Sequence, residues 1–149
     1  MEREQQFHMI YTLTITAVSG AYLEEECIRV LEIDESATLE DLHMAIQKAV
    51  SFDNDHLYDF YAGRHYRNRQ IRYADDEDWE ARESDFSKLQ LSGVYPLNGL
   101  KLYYCFDFGD NWIFEIRKAR KVKPAESGGS YPRVIESHGP NPEQYPSWE

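Results

Sequence analysis

Two cysteines in 149 residues leave little room for sulfur chemistry. Cys27 and Cys105 lack the paired spacing of a zinc site, leave a single disulfide as the alternative to free thiols, and sit in apolar, strand-like surroundings. They read as two reduced, buried thiols of a cytoplasmic protein. No apolar run approaches the ~20 residues that a membrane helix needs. The opening MEREQQFHMI is charged and has no apolar h-region, which speaks against a secretory signal. Neither GxGxxG nor a P-loop occurs, so a Rossmann or P-loop nucleotide site is unsupported, and the GxSxG elbow and the HExxH pair are also missing. Cations are scarce as well: 16 Lys and Arg against 27 acids give a net charge of −11. That balance opposes electrostatic binding to nucleic acid or anionic lipid, because phosphate contacts need clustered cations.

What is present is apolar and aromatic. Hydrophobic residues make up 42% of the chain and aromatics 14%, against 29% charged, the balance of a soluble packed globule. This length suits one domain that buries roughly 70% of its unfolded surface. The organising stretch is LKLYYCFDFGDNWIFEIR, Leu100 to Arg117, two apolar runs around Asp107 to Asn111 that read as a β-hairpin. A three-residue loop, Phe108 to Asp110, sets Phe106 opposite Trp112, Tyr104 opposite Phe114 and Leu102 opposite Ile116. A two-residue loop would set Tyr104 and Leu102 opposite Glu115 and Arg117. Cross-strand apolar pairs, worth roughly 0.2–1 kcal/mol each, select the first register. Gly109 is expected to take the positive φ that such a loop needs.

Upstream, residues 9–18 alternate Tyr11, Leu13, Ile15 and Ala17 against threonines, the pattern of a half-buried strand. CIRVLEI follows at 27–33, with Ile28 and Val30 in one phase and Leu31 and Ile33 in the other. Either both faces are covered or a bulge follows Val30. Thr38 with Asp41 predicts a capped helix over 39–50, its apolar face carrying Leu39, Leu42, His43, Ile46 and Val50. Asp53 to Asp55 are expected to stop it, and 56–63 to form a strand and turn. The order strand, strand, helix, strand predicts a helix on one face of a mixed sheet. Residues 64–85 read as a long polar connection with a short strand near Gln70 to Tyr73, and Phe86, Leu89 and Leu91 as the anchors of a helical turn. Five of the six prolines fall after Lys123. The division expected is one domain over 1–149, with a core over about 9–122 and an irregular tail over 124–149 packed on it by Tyr131, Val134, Tyr145 and Trp148.

Three clusters carry candidate chemistry. Asp107, Asp110 and Asn111 at the hairpin tip offer oxygens that hard cations accept, but the same side chains form turns by bonding their own backbone amides. The letters DFG at Asp107 to Gly109 match the kinase magnesium motif without any of its companion motifs. His56 follows Asp53 and Asp55, which can hold an imidazole in one tautomer, whereas His43 on the helix face reads as a hydrogen-bonded core histidine. Trp112 and the hairpin tyrosines offer a stacking face, weighed against ordinary core packing. From Arg117 to Lys123, RKARKVK places five cations in seven residues: a solvated strand end that discourages edge pairing, or an anion- or partner-binding patch.

LEDLHMAIQKAVSFDNDHLYDFYAG, KLYYCFDFGDNWIFEI and YPRVIESHGPNPEQYP, spanning residues 39–146, resemble in order three signature blocks of the plasmid pRiA open-reading-frame family, also labelled transposon-passenger TnpR-like proteins. The resemblance implies a compact α+β domain, a mixed sheet with a helix packed on it, like a β-grasp or roll. It implies association with mobile elements but no resolvase activity, since no serine-recombinase motif is present. The chain departs from the family pattern at Tyr58 and Phe114, where histidines are common, and lacks the double glycine expected after Glu143. A metal site resting on those histidines is therefore not carried over. The expectation is a cytoplasmic, non-enzymatic binding or accessory module for a protein or small ligand, without cofactor and away from membranes. Its candidate surface comprises His56, Asp107, Asp110, Trp112, Arg117, Lys118, Arg120 and Lys121. The alternatives are a small metal-dependent hydrolase using His56, Asp107 and Asp110, and a nucleic-acid binder using the basic strand end.

Overall fold

The computed structural model describes residues 8–73 and 86–146. Its strands are β1 (Met9–Ser19), β2 (Ile28–Asp34), β3 (Tyr58–Gly63), β4 (Ile71–Arg72), β5 (Lys101–Phe106), β6 (Trp112–Lys118), β7 (Lys123–Pro124) and β8 (Arg133–His138); its helices are α1 (Leu39–Val50) and the short α2 (Leu91–Val94). The strands make one sheet in the order β4-β3-β5-β6-β1-β2-β8, with β7 added beside β1. The expectation of a mixed sheet is corrected: every ladder among the described residues is antiparallel. Each neighbour is reached by a hairpin or a longer return that reverses direction, so no parallel pair arises.

The hairpin has the predicted register, with Leu102 opposite Ile116, Tyr104 opposite Phe114 and Phe106 opposite Trp112. Those six side chains are buried on the face that α1 covers, packed with Leu13, Leu42, Ile46 and Phe52. The alternate residues Tyr103, Cys105 and Ile113 face the other way and pack with Tyr61 under Val18 and Tyr66. Strand β5 is therefore buried on both sides, which is why its sequence is a continuous apolar run rather than an alternating one. Gly109 does not take the expected positive φ. Asp107 (φ 62°) and Asn111 (φ 56°) do, at the two ends of the turn. Asp and Asn tolerate the left-handed region because their short side chains bond locally.

Helix α1 starts where predicted: Thr38 Oγ1 accepts from the Asp41 N–H at 3.1 Å and Asp41 Oδ2 accepts from the Thr38 N–H at 2.9 Å. It also ends at Val50 as predicted, but the stop is Ser51 rather than the DND stretch: its left-handed backbone (φ 58°) turns its N–H onto the Gln47 and Lys48 carbonyls. In β2 both readings hold. Arg29, Leu31 and Ile33 are buried on one phase and Glu32 on the other, and the register against β8 shifts between Val30 and Leu31. The tail is not uniformly irregular, since β8 pairs with β2 from Ile28–His138 to Glu32–Arg133. The expected strand near 70–73 is β4, and 86–88 form a helical turn with Phe86 buried. The rest of the predicted polar connection, 74–85, and Trp148 lie outside the described residues.

Candidate functional site

The candidate residues separate into two groups at opposite ends of the hairpin. Trp112 opens β6 and Lys118 closes it, so the groups stand roughly 20 Å apart at ~3.3 Å per strand residue.

At the turn end, the backbone of Asp107 is pinned by its N–H to the Leu57 carbonyl at 3.0 Å. Its Oδ1 accepts from the N–H groups of Gly109 (3.1 Å) and Asp110 (3.3 Å). Its Oδ2 faces His56 Nε2 at 3.3 Å. The same Nε2 stands 2.7 Å from the Tyr145 hydroxyl and 3.8 Å from Asp55 Oδ1. Tyr145 donates to Asp55 Oδ2 at 2.7 Å, so its oxygen is the acceptor for His56. That bond to Asp55 is the main reason the Tyr145 phenol is pushed up to about 12 and the Asp55 carboxyl held below its ordinary range. Gln144 completes the cluster, donating to Asp55 Oδ1 at 2.9 Å and accepting from the Asp53 N–H at 2.8 Å.

His56 and Asp107 thus converge, while Asp110 contributes its backbone amide and its carbonyl, which accepts from the Ala21 N–H at 2.9 Å. Among the described residues no group of three or more His, Cys, Asp or Glu is arranged to hold a metal ion. Trp112 is corrected: it is 0% exposed, wedged in the core, and presents no stacking face to a ligand. The close approach of Gly20, where a Cβ would lie 2.2 Å from the indole, seals it in.

At the other end, Arg117, Lys118 and Arg120 border a groove of about 840 Å³ together with Tyr11, the 95–100 loop, Lys101 and Ile116. The loop is shaped by Asn98 (φ 53°) and Gly99 (φ 94°), consecutive left-handed residues closed by the Leu100 N–H to Leu97 carbonyl bond at 3.1 Å. The rings of Tyr11 and Tyr95 meet edge to face at 5.8 Å, and the Lys118 ammonium lies 4.6 Å from the first and 5.8 Å from the second. Such contacts hold the cation in place while leaving its other side free for an anion. Glu115 binds Arg117 at 2.5 Å and Lys101 at 3.7 Å. Lys118, Arg120 and Lys121 make no ion pair among the described residues. Lys121 lies beyond the groove lining.

Sequence reasoning missed Tyr145 and Gln144, which reach the His56 cluster from 89 or more positions away and carry no local signal. It also missed the groove's second wall. The Asn98-Gly99 pair, a strong turn signal, was available to mark that loop as sharply folded.

An α+β protein with, among the described residues, one large antiparallel sheet, one long helix on its face and a cation-lined groove at the end of its central hairpin is the class that fold and site define. Residues 10–144 match the plasmid pRiA4b ORF-3-like protein family, and the chain belongs to it. The uncharacterized protein y4hQ of Sinorhizobium fredii (strain NBRC 101917 / NGR234) is 26% identical over 133 residues, 88% of this chain and 64% of that protein. The chain therefore spans just under two thirds of that relative's length. A protein of unknown function from Methanosarcina mazei Go1, MM3350, has a crystal structure similar to this one, with a TM-score of 0.66 and 24% identity over 89% of this chain and 70% of that one. That likeness is one of fold. Among the described residues no helix is long and apolar enough to cross a membrane.

Proposed function

We propose that the protein is a non-enzymatic binding module that takes an anionic group into the groove between Tyr11, the 95–100 loop and the end of β6. The observation that carries this reading is the lining: four cations, Lys101, Arg117, Lys118 and Arg120, and among the described residues no carboxylate, with Glu115 behind it pairing Lys101 and Arg117 and leaving Lys118 and Arg120 to a ligand, on a chain of net charge −11. A local reversal of sign against an acidic background selects oppositely charged ligands, since exposed charges beyond ~8 Å are screened at physiological salt. The turn acids support a binding rather than a catalytic role, because Asp107 Oδ1 is taken by two backbone amides. The family's plasmid origin supports service as an accessory factor of a mobile element, in keeping with the TnpR-like label, and the two free, buried cysteines support a cytoplasmic setting. We read the arrangement as roll-like; the β-grasp alternative needs a parallel pair.

A thermal-shift screen of anions, neutral molecules and acidic peptides tests the reading against wild type and a Lys118→Glu/Arg120→Glu variant. Anions are expected to raise the melting temperature of wild type and leave the variant, itself equally stable, unmoved. Hits without charge bias, or hits that survive charge reversal, overturn it.

The 3.3 Å approach of His56 to Asp107 favours a second reading, a small hydrolase that uses this pair. It requires His56→Ala to abolish turnover of a generic phosphoester while leaving stability unchanged.

A further inference from the structure

We infer that the groove binds a small organic oxyanion, a phosphate monoester or carboxylate joined to an apolar body, and not an extended polyanion. This rests on the anion-binding reading above and narrows it. The groove has two kinds of wall. One is cationic, and the other is apolar, formed by Tyr95, Pro96, Leu97 and Leu100. A bare inorganic ion would leave the second wall in water, whereas a ligand with an apolar portion removes it at roughly 25 cal/mol per Å².

The cations are prepared unequally. Arg117 is already held by Glu115 and acts as a fixed rim. The half-buried Lys118 ammonium has three donors, and its acceptor among the described residues is the neutral Ala119 carbonyl at 3.2 Å. Its remaining donors suit an oxyanion placed beside the tyrosine pair. Arg120 is exposed and pairs with no carboxylate among the described residues, and its planar fork can grip two oxygens of one phosphate or carboxylate.

Size follows from volume and screening. About 840 Å³ falls within the ~300–1,000 Å³ of small-molecule sites. A ligand confined there feels the lining, because charges more than ~8 Å away are screened. A polynucleotide of many phosphates extends past the groove over a surface whose net charge is −11, and loses there what it gains at the cations.

Isothermal titration of the full chain with phenyl phosphate, benzoate, inorganic phosphate, an acidic peptide and a single-stranded 20-mer tests this. Phenyl phosphate and benzoate are expected to bind, phenyl phosphate at least ten-fold tighter than inorganic phosphate. Lys118→Met and Arg120→Gln should each weaken it ten-fold or more. Leu97→Ser should weaken phenyl phosphate but not inorganic phosphate, with melting temperature as the control for folding. Equal affinity for phenyl phosphate and inorganic phosphate overturns the inference, as does phenyl phosphate binding that survives Lys118→Met. Lys118-dependent binding of the peptide or the 20-mer, with none of phenyl phosphate, overturns it while leaving the anion-binding reading standing. Failure of every anion overturns both.

Discussion

His43 joins helix to sheet through a closed set of bonds. Its Nδ1 accepts from the Tyr104 hydroxyl at 2.5 Å, its Nε2–H donates to Asn54 Oδ1 at 2.7 Å, and its ring stacks on Tyr58 with centroids 3.6 Å apart. Gln47 donates to the same Tyr104 oxygen at 2.9 Å and accepts from the Asn54 N–H at 2.9 Å. All of this needs a neutral imidazole. Burial pulls the His43 pKa from 6.5 down to about 4, against the opposing pull of Asn54. Because the unfolded chain binds this proton more readily, the contribution is complete above pH 6.5 and is lost as pH falls toward 4, on the order of 3 kcal/mol in total. Chemical denaturation between pH 7 and 4 should show that slope, and His43→Gln should flatten it. The carboxylates held low, such as Glu32, begin to act near their unfolded pKa of 4.5, so the slope above about pH 5 belongs to His43. The helix-face position made His43 legible as a core histidine; its partners were not, because Tyr104 is 61 residues away. At Gly20 the tight approach to Trp112 predicts that Gly20→Ala costs about 1–3 kcal/mol in urea unfolding, by overpacking.

Elements were legible where local chemistry decides them. The Thr38–Asp41 box marks the start of α1 because both partners lie within one helical turn, and Thr38→Ala should cost about 1 kcal/mol. The hairpin register was legible because only one pairing sets apolar side chains against each other. Its turn was misread at the backbone, since glycine is the usual residue at positive φ and here Asp107 and Asn111 occupy that region. The consequence is measurable. Asp107→Ala removes the acceptor for two amides and leaves a Cβ residue at φ 62° without local compensation, with an expected loss of about 1–3 kcal/mol. Gly109→Ala meets only Asp107 Oδ1 at 3.4 Å and should be nearly neutral. Equilibrium denaturation of the two variants distinguishes them, and the reverse order would mean that Gly109 bears the turn.

At the scale of the molecule, the last strand was illegible because its own residues do not specify it. RVIESH is polar, lies among prolines, and leaves Val134 and Ile135 each 45% exposed. What makes it a strand is the open edge of β2 and a buried carboxylate. Glu32, 2% exposed, accepts from Arg133 at 2.7 Å and from Lys123, so one side chain of β2 ties down both β7 and β8, and Arg133 reaches on to Glu126 at 3.0 Å. The Lys123 hydrogen bond is the main cause of the lowered Glu32 pKa. From the other side, Arg29 is buried and donates to the His138 carbonyl at 3.2 Å and to Asn141 Oδ1 at 2.6 Å, fastening the segment beyond β8. Glu32→Gln keeps the shape and removes the charge, so it should loosen β7 and β8 without dismantling the sheet. Hydrogen exchange resolved by residue is expected to speed up at least ten-fold over 133–138 in that variant while amides of β5 and β6 keep their protection, since those strands are held by the aromatic core on both faces. Equal acceleration everywhere would mean instead that the C-terminal strand folds and unfolds with the hairpin as one cooperative unit, and that Glu32 supports the whole sheet rather than its edge.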